Sequence, residues 1–209
     1  MTTHRIPLIA AVLALGCSRD GAPMRSDSAT VAPPPLVQTE PAHPDSSQSA
    51  PRDCGIGGGR EIDKGIGELK PGRSVADVVA SCEVMSDSRQ LGTEGMTERV
   101  LVVRIEGATV RAIVNDDRVS RIEVTSPEFR TSDSLGVDTP LRRIARTGGA
   151  RFFPGEGGVY AFLPEHCALS FRFSVPLRPP RGGDWTAAAI EKAHGDAAVD
   201  RVLITKCRN

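Results

Sequence analysis

Apolar positions are spread unevenly along this chain, and their spacing changes character several times. Residues 6–15 form an unbroken apolar run behind a short stretch carrying His4 and Arg5. At about ten residues it is too short to cross a bilayer as a helix and has the form of a secretory signal peptide. Residues 18–53 hold seven Pro and six Ser, no aromatic side chain, and only Met24, Val31, Leu36 and Val37 as sizeable apolar groups. No core there offsets the entropy of ordering, so the stretch reads as a disordered tether, stiffened locally by Pro33-Pro34-Pro35.

Beyond Cys54 the pattern becomes that of a folded chain. Ser74 precedes Val75, Val78 and Val79 at helical spacing behind Pro71-Gly72, which predicts a short capped helix. Residues 99–105, 109–114 and 119–125 then alternate as strands across two turns, the second being Asn115-Asp116-Asp117. The order recurs. Thr139-Pro140 opens a helix through Ala145, and residues 159–163, 169–173 and 199–205 read as strands. Setting Val119-Ser120-Arg121-Ile122-Glu123-Val124-Thr125 against Val199-Asp200-Arg201-Val202-Leu203-Ile204-Thr205 gives three identities. The expectation is an α+β fold of two tandem repeats, each a short helical lead followed by a three-stranded antiparallel meander. The second half carries about 21 extra residues between its last two strands, including Pro176, Pro179, Pro180 and a short helix beginning near Trp185 and ended by Gly195. An insertion of this kind is where specificity is added without disturbing a core.

Composition narrows the class. With 26 basic and 26 acidic residues the formal net charge is zero, which argues against nucleic acid and against a polybasic membrane surface. Aromatic residues make up only 4%, and all eight stand at or beyond Phe129. The heavy packing is therefore in the second half.

The apolar run ends Leu13-Ala14-Leu15-Gly16-Cys17, which resembles the lipobox of bacterial lipoproteins, with Ala14 where that pattern has Leu. The resemblance implies a signal peptide over residues 1–16, lipidation of Cys17, a tether over 17–53, and a folded domain over 54–209. Ser18 is not the Asp that the family uses for inner-membrane retention, so the periplasmic face of the outer membrane is the expected address. An ordinary secretory peptide is the alternative.

Four cysteines remain, Cys54, Cys82, Cys167 and Cys207, an even number in an exported chain, which predicts two disulfides. In a meander the start of one strand abuts the end of its antiparallel neighbour, so Cys167 should face Cys207, leaving Cys54 for Cys82. A metal site with His166 lacks any Cys-x-x-Cys or His-x-x-x-His spacing. Neither a Gly-x-Ser-x-Gly elbow nor a His-Glu-x-x-His helix occurs, and Gly55-Ile56-Gly57-Gly58-Gly59 is not followed by the Gly-Lys-Ser/Thr of a phosphate loop. No catalytic residue, metal or cofactor is expected. Candidate partner-binding residues are Trp185, the sole Trp, and Arg142 and Arg146 in the arginine-rich helix.

On Gly72-Arg73-Ser74 with Val75 and Val78, the counterpart over 136–144, and the strand order, residues 65–207 resemble the fold shared by the β-lactamase inhibitory protein and the small accessory lipoprotein of the outer-membrane barrel-assembly machinery. That resemblance implies a non-catalytic protein-binding or assembly module of the cell envelope. The alternatives are an inhibitor of a periplasmic or secreted hydrolase, and an enzyme with an unfamiliar constellation.

Overall fold

The computed structural model describes residues 52, 54–55, 60–92, 95–176 and 185–207. The signal peptide, Cys17, the tether apart from residue 52, residues 56–59 of the glycine run and the insertion residues 177–184 lie outside them.

In chain order the elements are α1 (Val75–Ser81), β1 (Glu83–Leu91), β2 (Thr97–Ile105), β3 (Ala108–Asn115), β4 (Arg118–Val124), α2 (Leu141–Ala145), β5 (Arg151–Gly155), β6 (Gly158–Phe162), β7 (Leu169–Phe173), α3 (Ala187–His194) and β8 (Val199–Ile204), with one 3-10 turn at Pro164–His166. Two hairpins are made by paired left-handed residues, Glu106-Gly107 between β2 and β3 and Asp116-Asp117 between β3 and β4. Such turns match the twist of the strands they join. Gly158 has a different reason to be glycine: a Cβ there would collide with the carbonyl oxygen of Phe173 on β7.

The eight strands among the described residues join one antiparallel sheet in the order β1-β2-β3-β4-β8-β7-β6-β5. This overturns the expected α+β class and its two units of one helix and three strands. The molecule is mostly β, with three short helices among the described residues, and each helix-and-strand run contains a further strand that the sequence pattern hides. Those two, β1 and β5, are the sheet's outer strands. An outer strand packs against one neighbour only, and β1 carries few apolar residues, while β5 contains Pro154, which reads as a strand breaker. The other six strands lie within one or two residues of the expected spans.

One face of the sheet is covered. Leu101, Ala112, Ile122, Ile204 and Leu169, paired in sequence across β2, β3, β4, β8 and β7, are buried there with Val78 of α1, Leu141 and Ile144 of α2, and Ile190 of α3. Ile62, Ile66 and Leu69, from the irregular segment before α1, and Phe129, Leu135 and Val137, from the β4–α2 connection, complete the same cluster. Ser74 caps α1 through its Oγ, which accepts from the Asp77 amide at 3.1 Å, and Thr186 caps α3 likewise from Ala189 at 3.2 Å. Thr139, by contrast, does not cap α2: its hydroxyl accepts from the Gly136 amide and from Arg130.

The structure places the cysteines as Cys54–Cys82 and Cys167–Cys207, with Cα atoms 4.1 and 5.3 Å apart. The second bond joins the entrance of β7 to the exit of β8, as the strand adjacency required.

Candidate functional site

Side chains alternate across a strand, so the residues between the core positions all point to the opposite face of the sheet, where no described helix lies over them. Two lines of side chains cross that open face. One runs Phe153–Tyr160–Arg172–Arg201 across β5, β6, β7 and β8. The other runs Arg111–Glu123–Leu203–Ser170–Phe162 across β3, β4, β8, β7 and β6.

The centre of this face is Glu123, whose side chain is only 6% exposed. Its Oε2 accepts from Arg111 at 3.2 Å and from Arg201 at 3.1 Å, and its Oε1 accepts from Arg121 at 3.1 Å. Three guanidinium groups thus share one carboxylate, with Glu98 as a second, longer contact for Arg121 at 3.4 Å. The local balance is positive. Next to this cluster, Arg172 grips Asp200 with two parallel bonds of 3.0 and 2.9 Å, which raise its already high pKa further. Phe153, 42% exposed, stacks on Tyr160 with ring centroids 6.0 Å apart, and the Tyr160 hydroxyl donates to the Glu156 carbonyl. A shallow cavity of about 270 Å³ opens here, between Phe153, Tyr160, Arg172, Arg201, Arg121 and Glu123.

A second polar cluster lies on the covered side. His166, 9% exposed, closes the 3-10 turn with its Nδ1 2.7 Å from Asp63 Oδ1 and its Nε2 3.2 Å from Asp133 Oδ1. Asp63 Oδ1 has no aligned donor, so it acts on the ring by charge. Burial pushes Asp63 up, but the Ser132 amide, Glu61 and the charge of His166 outweigh it and hold its carboxyl below the ordinary range. Asp133 is likewise held low against burial, by the Thr131 hydroxyl and then His166. Each ring nitrogen lies within 3.2 Å of a carboxylate, so the imidazole is held between Asp63 and Asp133. Its work is to tie the segment before α1, the β4–α2 connection and the β6–β7 turn together.

The residues singled out from sequence fall elsewhere. Arg142 pairs with Asp196 at 2.7 Å and Arg146 with Glu191 at 2.7 Å, so both bridge α2 to α3 and its exit. Trp185 is half-buried and packs against the core at the start of α3. None of the three reaches the open face. All four described cysteines are in disulfides. Among the described residues no group of His, Cys, Asp and Glu is arranged to hold a metal ion.

No protein-family model matches the chain, and no curated protein sequence does. Among solved structures, the crystal structure of the uncharacterized protein yfeY from Escherichia coli is similar, with a TM-score of 0.50 at 16% identity over 69% of this chain and 97% of that one. At such an identity the likeness is one of fold.

Proposed function

We propose that this chain is a non-catalytic protein-binding module of the bacterial cell envelope, held to a membrane by a lipid on Cys17, and that it takes its partner on the open face of the sheet. The observation that carries the reading is the stacked pair Phe153 and Tyr160 standing beside Arg172, Arg201 and the arginines of Glu123 on a face that no described helix covers. Aromatic and arginine side chains dominate binding hot spots, because they bring large rigid area and directional donors together. The excess of guanidinium over carboxylate around Glu123 fits a partner segment that presents acidic side chains beside an apolar one. The apolar run ending in Cys17 supports the address.

The test is site-specific photocrosslinking in native membranes. A photoactivatable phenylalanine analogue at position 153 is expected to give a discrete adduct that Arg201→Glu suppresses, while the same analogue at Lys192, on α3, gives none. An adduct from position 192 alone moves the binding surface to the α2–α3 layer and sinks this reading. The anchor is tested separately: metabolic fatty-acid labelling is expected to tag the chain and to be lost in Cys17→Ser, and a tag that survives that substitution removes it.

A further inference from the structure

The two outer strands of the sheet differ. β5 is five residues long and contains Pro154, which has no N–H to offer a newcomer. β1 is nine residues long and contains no Pro, and no described strand lies on its outer side.

Which of its backbone groups are free follows from the register. The Gly92 amide donates to Met96 O at 2.7 Å, and the same register continues from Leu91↔Thr97 to Ser86↔Val102. In an antiparallel ladder alternate residues turn their N–H and C=O to the neighbour, so Gly92, Gln90, Ser88 and Ser86 face β2. The backbone groups of Asp87, Arg89 and Leu91 therefore face outward.

The side chains on this edge are self-complementary. Let a second copy of β1 run antiparallel to the first, with the two-fold axis through Ser88. Asp87 then stands opposite Arg89 of the second copy, Arg89 opposite its Asp87, and Ser88 opposite its Ser88. Outward-facing residues meet outward-facing residues, as the ladder requires. Leu91, at the end of the regular register, is 76% exposed, the most exposed of the large apolar residues described, and Met85, the extra residue of a β-bulge between Val84 and Ser86, is 46% exposed. Asp87 accepts two bonds from Arg99, at 2.9 and 2.7 Å, and retains lone pairs for a second guanidinium. Arg89 makes no ion pair among the described residues. Moving the axis to Asp87 or to Arg89 would set like charges against each other, which disfavours both alternatives.

We infer that β1 is a self-association edge, through which two copies of this chain pair antiparallel about Ser88 into one continuous sixteen-stranded sheet. The contact is isologous and closes on itself, as a two-fold interface must. It uses the edge of the sheet, so it is independent of the partner proposed for the open face. A single strand pair buries little area, so the dimer is a weak one.

The test is disulfide trapping in the full chain. Residues opposite each other at a pair without mutual hydrogen bonds have Cα atoms about 4.5 Å apart, within reach of a disulfide. Ser88→Cys under mild oxidation is expected to give a covalent dimer on a non-reducing gel, at least about fivefold above Asp87→Cys, Arg89→Cys and a remote Thr109→Cys, with untreated and oxidised wild type setting the background. Arg89→Asp added to Ser88→Cys places two carboxylates opposite each other and is expected to abolish the dimer. Because Arg89 makes no ion pair within the monomer, its thermal midpoint should not move. Equal trapping at all four positions means random collision and overturns the proposal. So does a dimer indifferent to Arg89→Asp, or sedimentation as a pure monomer at several hundred micromolar without a trapped Ser88→Cys dimer.

Discussion

Glu123 and His166 are both polar side chains enclosed on nearly all sides, yet they solve the problem in opposite senses: one carboxylate is surrounded by three guanidiniums, and one imidazole by two carboxylates. Removing the centre of either cluster leaves like charges facing one another. Truncation of one partner in a fully buried pair costs about 3–5 kcal/mol, and the arginines around Glu123 keep water contact, so Glu123→Ala is expected to cost about 2 kcal/mol. Denaturant unfolding measures it, and a loss below about 0.5 kcal/mol would show that solvent satisfies those guanidiniums unaided. For Asp63 the sign follows from its depressed pKa. Its contribution is fully present above the unfolded carboxyl value near 4 and is lost as pH falls through the lower folded value. Asp63→Asn is therefore expected to melt below wild type at pH 7, with the gap closing as pH drops below about 4. A gap of constant size from pH 7 to pH 3 would rule out the charge of Asp63 as the stabilising feature.

At the scale of elements, legibility tracked burial. β2 shows its character because Val100 to Val103 are apolar on both faces and Ile105 continues the core side past Arg104, and β7 alternates Leu169, Phe171 and Phe173 toward the core. β1 and β5 were hidden because outer strands have one neighbour, and their residues answer to solvent and edge protection more than to a core. The buried Ile62, Ile66 and Leu69 were also illegible as core: they sit among turns, and only the position of Phe129 and Leu135 across from them gives their burial a reason. The open-face cluster could not be read at all, since Glu123 and Arg201 are 78 residues apart and meet only through the β4–β8 pairing. Trp185 was legible as unusual but not as to role. Half-buried at the head of α3 and packed on the core, it is a covering side chain, so Trp185→Ala is expected to cost about 1–2 kcal/mol and lower the melting midpoint by several degrees. An unchanged midpoint together with a tenfold loss of partner capture would instead return Trp185 to the binding surface.

The whole molecule is held across a narrow seam. β4 meets β8 at only three residue pairs, Ile122↔Ile204, Glu123↔Leu203 and Val124↔Val202, whereas β2 and β3 are paired along seven. Two features close that seam. The hydrophobic cluster runs across it without a break, from Val78 and Ile105 on one side to Phe171 and Ile190 on the other. The Cys167–Cys207 bond then fixes the far end of β8 to the start of β7, while Cys54–Cys82 ties the segment ahead of α1 to the residue preceding β1. With sequence separations of 40 and 28 between the bonded cysteines, loop-closure entropy assigns each about 3.5–4 kcal/mol. A continuous core predicts a single unfolding transition despite the narrow strand contact, and the covalent ties predict where that breaks down. Replacing Cys167 and Cys207 together by Ala is expected to lower stability by about 3 kcal/mol and keep one transition, because the core still crosses from β4 to β8. Calorimetry decides it: a calorimetric enthalpy matching the van't Hoff value supports one cooperative unit, whereas two resolved transitions in the variant would mean that the disulfide, and not the shared core, makes the eight strands unfold together.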